Sequence, residues 1–212
     1  MAQMRDKKSP GKRSEAVEIL VEGFMDDPFF VWTTPDETAR RVMLGSMFGL
    51  AVDAADEQGF LRLDERGVFI LVPPGRELYD AQRGAQQQEL IRKAFHRSSI
   101  LLDDYRRRLR SADPEPADCW YLAYLAVPAG KRRRGSGSSM MKDILARTAG
   151  TPVRLHTGRP SNLSFYAKFG LKVIAITPCE SDGPRVYTLE GSPTWRPAGP
   201  HVSSATQAAP ER

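Results

Sequence analysis

Residues 119–127, CWYLAYLAV, limit the possible folds of this chain more than any other segment. The run is nearly all apolar, which predicts a strand at the centre of a sheet with both of its faces covered. Pro128 ends the strand, because proline has no N–H for the hydrogen-bond ladder. A helix is predicted over about 135–149. This strand–loop–helix unit is the most clearly marked part of the predicted fold.

The remaining segments alternate between helical and strand patterns. Further helices are predicted over 14–27, 37–59, 77–111 and 161–169. Further strands are predicted over 60–63, 67–72, 152–157, 171–176 and 185–189. Residues 27–36 are interpreted as an aromatic-rich connection. On the second helix, the residues expected to be buried are Val42, Met43, Met47, Leu50 and Ala54. The fold class is therefore α/β, a mixed sheet with helices on both faces.

The domain boundaries follow from composition. Residues 1–13 are predicted to be a disordered basic arm, and residues 191–212 a disordered Pro/Ser/Ala-rich tail. Between them, residues 14–190 are predicted to form one domain, in which 77–117 is a helical insertion before the central strand.

Composition limits the cellular compartment and the metal content that we expect, but it does not indicate a function. No apolar run is long enough for a membrane span, and the polar N-terminus does not resemble a secretory signal. Cys119 and Cys179 make no disulfide framework, so we expect a cytoplasmic protein. The three histidines and two cysteines lack metal-ligand spacing, so no metal is expected. The net charge of +5 suits nucleic acid, acidic surfaces and phosphorylated small molecules equally well.

The loop after the central strand, PAGKRRRGSGS, has three interpretations: a nucleic-acid patch, a solvated linker or a phosphate-binding loop. Its spacing is Arg132-x-x-Gly135-x-Gly137, which matches neither the Walker A loop nor the dinucleotide fingerprint. Glycines let a ligand approach the backbone, and the amides at a helix N-terminus suit a phosphate. No nucleic-acid-binding fold and no aromatic stacking surface accompany the basic run, so nucleic acid is not an expected partner.

The R-x-x-G-x-G spacing directly after a strand that ends in Val resembles the acetyl-CoA pyrophosphate signature of the GNAT acetyltransferase superfamily. The segment LHTGRPSNLSFYAKFGLKVI continues the resemblance, with Asn162, Tyr166 and Gly170 in the family's places and Leu171 where Phe is usual. DDPFFVWTTPD and GVFILVPPG are similar to the branch that contains puromycin N-acetyltransferase. The resemblance covers roughly residues 14–190.

The resemblance implies a GNAT fold, with about six to seven strands and a splayed central strand pair. It also implies acetyl-CoA as acyl donor and a primary amine of a small molecule, an antibiotic or a metabolite, as acceptor. The amine would attack the thioester directly in a ternary complex. The residues implied to bind the donor are Leu125, Ala126, Val127, Arg132, Arg133, Arg134, Gly135, Ser136, Gly137, Ser138, Asn162 and Tyr166.

Three catalytic roles are implied or open. Tyr166 resembles the general acid that protonates the thiolate, and a backbone amide near Leu125 resembles the oxyanion donor. Asn162 would contact the pantetheine, brace the next helix or cap it. The general base is open: His156 lies on a predicted strand where the puromycin-type branch commonly carries Glu, and it can accept a proton near neutral pH. The other candidates for the base are Tyr124, Asp118 and a chain of water molecules. The alternative for His156 is a side chain that faces a helix or solvent and has no catalytic role.

The acceptor site is expected in the variable parts of the chain. Phe29, Phe30, Trp32 and Tyr124 are predicted to wall the acceptor pocket, and ordinary core packing is the alternative for these aromatic residues. Two other functions remain open, a protein or peptide amine acetyltransferase and a non-catalytic acyl-CoA-binding module. A monomer or a homodimer is expected, without a membrane partner.

Overall fold

The structure of the chain is a computed structural model that describes residues 10–94, 96–112, 118–148, 150–179 and 183–191. Residues 1–9, and 192–212 of the predicted tail, lie outside the described residues, so the predictions of disorder there stay predictions. Within the described ranges, no helix combines the length and the apolar character needed to cross a membrane.

Seven α-helices are formed by the described residues. In chain order they are α1 (Pro10–Phe24), α2 (Pro28–Thr33), α3 (Glu37–Gln58), α4 (Ala81–Ala94), α5 (His96–Ala112), α6 (Ser136–Arg147) and α7 (Ser161–Ala167). The strands are β1 (Leu61–Asp64), β2 (Gly67–Val72), β3 (Trp120–Ala126), β4 (Val153–Thr157), β5 (Leu171–Pro178) and β6 (Arg185–Gly191).

The six strands form one mixed sheet in the order β1-β2-β3-β4-β6-β5. The β3–β4 pair is parallel, and the other four neighbouring pairs are antiparallel. Because β3 is the third of six strands in this order, the apolar run at 119–127 does become a central strand. The predicted fold class is confirmed.

Each face of the sheet carries its own apolar core. The face that we call the α3 face packs against α1, α2, α3 and α5, with Leu20 and Phe48 at its centre. The opposite face, called the α6 face, packs against α6 and α7 through Met141 and Ile144. Alternate residues of a strand point to opposite faces. Leu155 of β4 therefore belongs to the α6 face, and its neighbour His156 belongs to the α3 face.

Strand β3 contains one residue too many for its partner β2. Tyr124 lies opposite Ile70 and Leu122 lies opposite Leu71, so Ala123 between them has no partner in the ladder. A bulge of this kind bends its strand. On the other side, β3 pairs with β4 only at Trp120–Val153 and Tyr121–Arg154. Beyond Tyr121 the two central strands separate, which confirms the predicted splay.

Several local predictions were wrong. Helix α1 begins at Pro10 rather than at Ser14. The connection predicted over 27–36 contains α2, because the Asp27 carboxylate accepts a hydrogen bond from the Phe29 amide and proline is tolerated at the first helical position. The helix predicted over 77–111 is two helices, α4 and α5, with residue 95 outside the described residues. Val42 is 57% exposed, because the buried stripe of α3 is centred on Leu44 and Phe48.

Arg40 of α3 holds the entry and exit of α2. Its side chain is buried and donates to three backbone carbonyls: those of Met25, Thr34 and Pro35, at 2.7, 2.8 and 2.8 Å. A charged donor that satisfies several buried carbonyls contributes far more to the free energy of unfolding than a surface ion pair does. Arg40 therefore fixes the segment on which the predicted acceptor-site aromatic residues lie.

We predict that Arg40→Met lowers the free energy of unfolding by about 3 kcal/mol, because three carbonyls lose their donor. The neighbouring Arg41→Met is the matched control: Arg41 is exposed and pairs with exposed Glu18 at 2.9 Å, so its loss should cost at most about 0.5 kcal/mol. Urea unfolding monitored by circular dichroism measures both. Equal losses in the two variants would contradict this role for Arg40.

Candidate active site

The gap between β3 and β4 is the main open feature of the sheet. Within 122–126 of β3, every residue except Ala123 pairs with β2 on one side, and none pairs with β4 on the other. A strand edge of this kind presents N–H and C=O groups to whatever enters the gap. An extended ligand can therefore pair there in the manner of an added strand. Leu125 and Ala126 belong to this edge, and Val127 follows it.

A tight loop joins the end of β3 to α6. A single 3₁₀ turn over Ala129–Lys131 comes first, and then Arg133 and Gly135 adopt left-handed backbone conformations, with φ of 59° and 87°. The Ser139 amide donates to the Gly135 carbonyl and is the first helical hydrogen bond. The amides of Ser136, Gly137 and Ser138 therefore have no carbonyl within the helix. The helix N-terminus carries partial positive charge at the mouth of the gap.

The four cations of the loop have two different roles in the structure. Arg132 donates to the carbonyls of Val127 and Glu22, both at 3.1 Å, which ties the strand end to α1. Lys131 donates to the Glu65 carbonyl. Arg133 and Arg134 are exposed to solvent. Half of the basic run therefore braces the loop, and half contributes charge around its surface.

Arg66 is a further cation at this loop that the sequence analysis did not select. It lies on the turn between β1 and β2 and donates to the Ser139 hydroxyl at 2.9 Å. It also pairs with Asp143 of α6 at 2.7 Å and with Asp64 at 2.6 Å, and the guanidinium lowers the pKa of Asp64. Arg66 holds the first turns of α6 against the β1–β2 turn. Nothing in the local sequence indicates this contact, since the partners are 73 residues apart.

Tyr166 of α7 lies on the α6 face. Its side chain is 9% exposed, and the Phe165 ring packs against it at 5.1 Å between centroids. Burial raises the pKa of Tyr166 to about 12, so the phenol stays protonated at neutral pH. Phe165 is also the nearest side chain to Gly137, 3.5 Å from where a Cβ would be. Tyr166 is thus one residue from the contact between α7 and the loop.

Asn162 braces α7 against the end of β4. Its amide nitrogen donates to the Thr157 hydroxyl at 3.1 Å, and the Arg159 amide donates to the same oxygen at 3.2 Å. Pro160 occupies the N-cap position, and no side chain caps this helix. Of the three roles considered for Asn162, bracing is the one with a hydrogen bond in the structure.

His156 lies on the α3 face, across the sheet from Tyr166. Its Nδ1 atom is 3.0 Å from the hydroxyl of Tyr121, and the two rings are 5.5 Å apart. Tyr121 is the last residue of β3 that pairs with β4, so the two side chains meet where the strands begin to separate. The sequence analysis missed Tyr121. Its position could have been found only from the register of β3 against β4.

The predicted acceptor-site aromatic residues are packed together on the α3 face. Phe29 and Phe30 are buried and contact each other with centroids 5.4 Å apart. Tyr124 makes an edge contact with Phe48 at 5.1 Å, and burial raises its pKa. Trp32 is partly buried. Core packing therefore accounts for Phe29, Phe30 and Tyr124.

Asp27 joins the start of α2 to the loop after β4. One carboxylate oxygen accepts from the Phe29 amide at 3.0 Å, and the other lies 3.7 Å from Nε of Arg159. Burial raises the pKa of Asp27. Gly158 packs closely here, since a Cβ would lie 3.3 Å from the carboxylate. Helix α2 is thereby held against the open end of β4.

Comparison with descriptions of known protein families gives no match. Among solved structures, the chain is similar to a histone acetyltransferase HPA2 and related acetyltransferase from Corynebacterium glutamicum, with 20% identity, a TM-score of 0.60 and coverage of 92% of this chain and 96% of that one. It is also similar to an N-acetyltransferase from Staphylococcus aureus Mu50, with 13% identity, a TM-score of 0.50 and coverage of 86% and 96%. At these identities the similarity concerns the fold: the chain has the α/β fold of the GNAT acetyltransferases.

Proposed function

We propose that this protein is an acetyl-CoA-dependent N-acetyltransferase that acts on the primary amine of a small molecule. The observation that carries the proposal is the gap between β3 and β4, which opens beyond Tyr121 and has the N-terminus of α6 at its mouth. The GNAT-type fold and the R-x-x-G-x-G spacing support the same assignment.

The residues present fit the acyl donor. The unpaired edge over 122–126 suits an extended amide-containing arm, which can accept and donate along a strand. The amides of Ser136, Gly137 and Ser138 suit a pyrophosphate. Arg133 and Arg134 add attraction for a highly anionic ligand. Arg132 would act through its own contacts, by holding the loop in shape.

In the proposed reaction, acetyl-CoA supplies an acetyl thioester when bound. His156, held by Tyr121, accepts the proton of the attacking amine from the α3 face. A backbone amide near Leu125 stabilises the negative charge that develops on the carbonyl oxygen. Tyr166, on the α6 face, donates a proton to the sulfur. Acid and base thus lie on opposite sides of the sheet, and the gap connects them.

We infer that the acceptor is a small amine from the way helices cover the α3 face. On the α3 face, α1 contacts β3 and Phe29 of α2 lies beside Gly158 at the end of β4, and this cover favours a small amine over an extended polypeptide. A peptide or protein amine is the second candidate, because one structural neighbour is described as a histone acetyltransferase HPA2 and related acetyltransferase. The resemblance to the puromycin-type branch stays a prediction.

The proposal predicts that the purified protein releases CoA when given acetyl-CoA and a suitable primary amine. A thiol reagent detects the release, and because Cys119 and Cys179 are both buried, the protein itself should react little with it. Tyr166→Phe should lower kcat by about 100-fold, as expected for loss of a general acid, and leave acetyl-CoA affinity within about twofold. Its melting temperature should not fall, because the described residues give this hydroxyl no partner.

Tyr187→Phe is the matched control, since Tyr187 packs on the same α6 face and has no proposed role. The panel contains small primary amines and short peptides. If only the peptides are acetylated, the acceptor is a peptide or protein amine rather than a small molecule. Acetyl-CoA binding without turnover on any amine would contradict the enzyme assignment and support a binding module. Unchanged kcat in Tyr166→Phe would remove Tyr166 from its role.

The loop itself is tested by binding. Gly137→Leu would push its side chain into Phe165 and Val127, whose atoms lie 3.5 and 3.7 Å from a Cβ at this position. We expect it to weaken acetyl-CoA binding by at least about tenfold, since the loop and α7 must separate. Lys131→Ala removes an exposed cation and its hydrogen bond to the Glu65 carbonyl, and it should weaken binding by less than about threefold. Calorimetry measures both, and the reverse ranking would favour the basic-patch interpretation.

A further inference from the structure

Three buried polar atoms have no hydrogen-bond partner among the described residues: Nε1 of Trp32 and the hydroxyl oxygens of Thr177 and Thr188. Thr177 and Thr188 are 1% and 0% exposed. Leaving such a group unpaired typically costs about 1–3 kcal/mol, and native structures contain few of them.

The two threonines lie on the α3 face, in the part of the sheet beside His156. Thr188 of β6 is directly opposite His156 in the ladder, so the two side chains share this face. Thr177 of β5 is opposite Val186, two residues before Thr188, which makes the two threonines diagonal neighbours. A row of polar groups therefore leads from the proposed base across β6 to β5.

Trp32 closes this row at the far end. Its indole ring lies against the hairpin between β5 and β6, where a Cβ on Gly183 would be 2.9 Å from the ring. The same Cβ would be 2.6 Å from Cys179, which is two residues after Thr177. Phe29 contacts both Trp32 and Tyr105 of α5, at 6.3 and 4.7 Å between centroids. The polar row thus lies under an aromatic cover formed by α2 and α5.

The chemistry of the row limits what it can bind. An indole N–H only donates, and a threonine hydroxyl both donates and accepts. An uncharged oxygen, in a hydroxyl or a carbonyl group, can accept a hydrogen bond from any of these groups, one or two at a time. Neighbouring strands are about 4.8 Å apart, so a group over β6 or β5 lies roughly 5–10 Å from a nitrogen held at His156.

We propose that the acceptor is a small amine that carries a hydroxyl or carbonyl oxygen at this distance from its amino group, recognised by Thr188, Thr177 and Trp32. The inference rests on the proposed function and specifies its substrate class. Because the three atoms are covered, the acceptor reaches them only when α5, which contacts β5, shifts away from the sheet.

The test compares amines that differ only in a hydroxyl group: tyramine with phenethylamine, and 5-aminopentanol with pentylamine. The wild-type protein should prefer the hydroxylated member of at least one pair by about tenfold or more in kcat/KM, since a site with polar groups rejects an analogue that leaves them unpaired. In Thr188→Val and Thr177→Val this preference should fall to less than about threefold.

Stability provides an independent readout. Valine has the shape of threonine, so removal of an unpaired hydroxyl should leave the melting temperature of Thr188→Val unchanged or higher. The matched control is Thr148→Val, which removes a buried hydroxyl bonded to the Leu145 carbonyl at 3.3 Å. It should lower the melting temperature and leave the preference between the paired amines intact.

The outcomes separate this inference from the proposed function. A wild-type protein that acetylates amines without preferring either hydroxylated compound overturns the inference alone, as does a Thr188→Val variant that keeps the full preference. A Thr188→Val variant with a lower melting temperature and an unchanged preference would show that the hydroxyl is bonded to an internal water molecule. That result also overturns the inference. Absence of acetyl transfer to any amine overturns both proposals.

Discussion

The bulge at Ala123 is the constraint on which the candidate site depends. It bends β3 away from β4 after only two ladder pairs, in a sheet whose other neighbours stay paired over most of their length. The backbone groups left without partners would be costly in a buried sheet, so the gap either is hydrated or receives a ligand that completes the pairing. The loop, α6 and α7 then surround an opening that lies within the sheet itself, where β3 and β4 stop pairing.

The sequence predicted the parts of this arrangement that depend on local chemistry. The apolar run at 119–127, Pro128 and the glycine spacing indicated a strand, a turn and a helix N-terminus. The helix predicted over 37–59 does end at residue 59, where glycine adopts a left-handed conformation. The helix α2 was missed because its aromatic residues show no clear helical period over six positions. Val42 was misplaced because α3 is apolar around most of its circumference, which leaves the direction of its buried face to tertiary packing.

The contacts that were not predictable join residues far apart in the chain. Tyr121 meets His156, and Arg66 meets Ser139, only because a particular register brings two strands and a helix together. The cations of the loop were misleading in a similar way. Composition counts four equal charges, whereas in the structure Arg132 and Lys131 also hold backbone carbonyls, so only the fold reveals which of these exposed cations brace the loop.

The two hydrogen bonds of Arg132 have a mechanical consequence. One fixes the end of β3 and the other fixes Glu22, five residues before Asp27 begins α2. A displacement of the loop by an anionic ligand would therefore be transmitted along the end of α1 to the aromatic cover of the α3 face. If ligands at the loop and at that cover are coupled through Arg132, thermodynamic linkage requires that each changes the affinity of the other by the same factor.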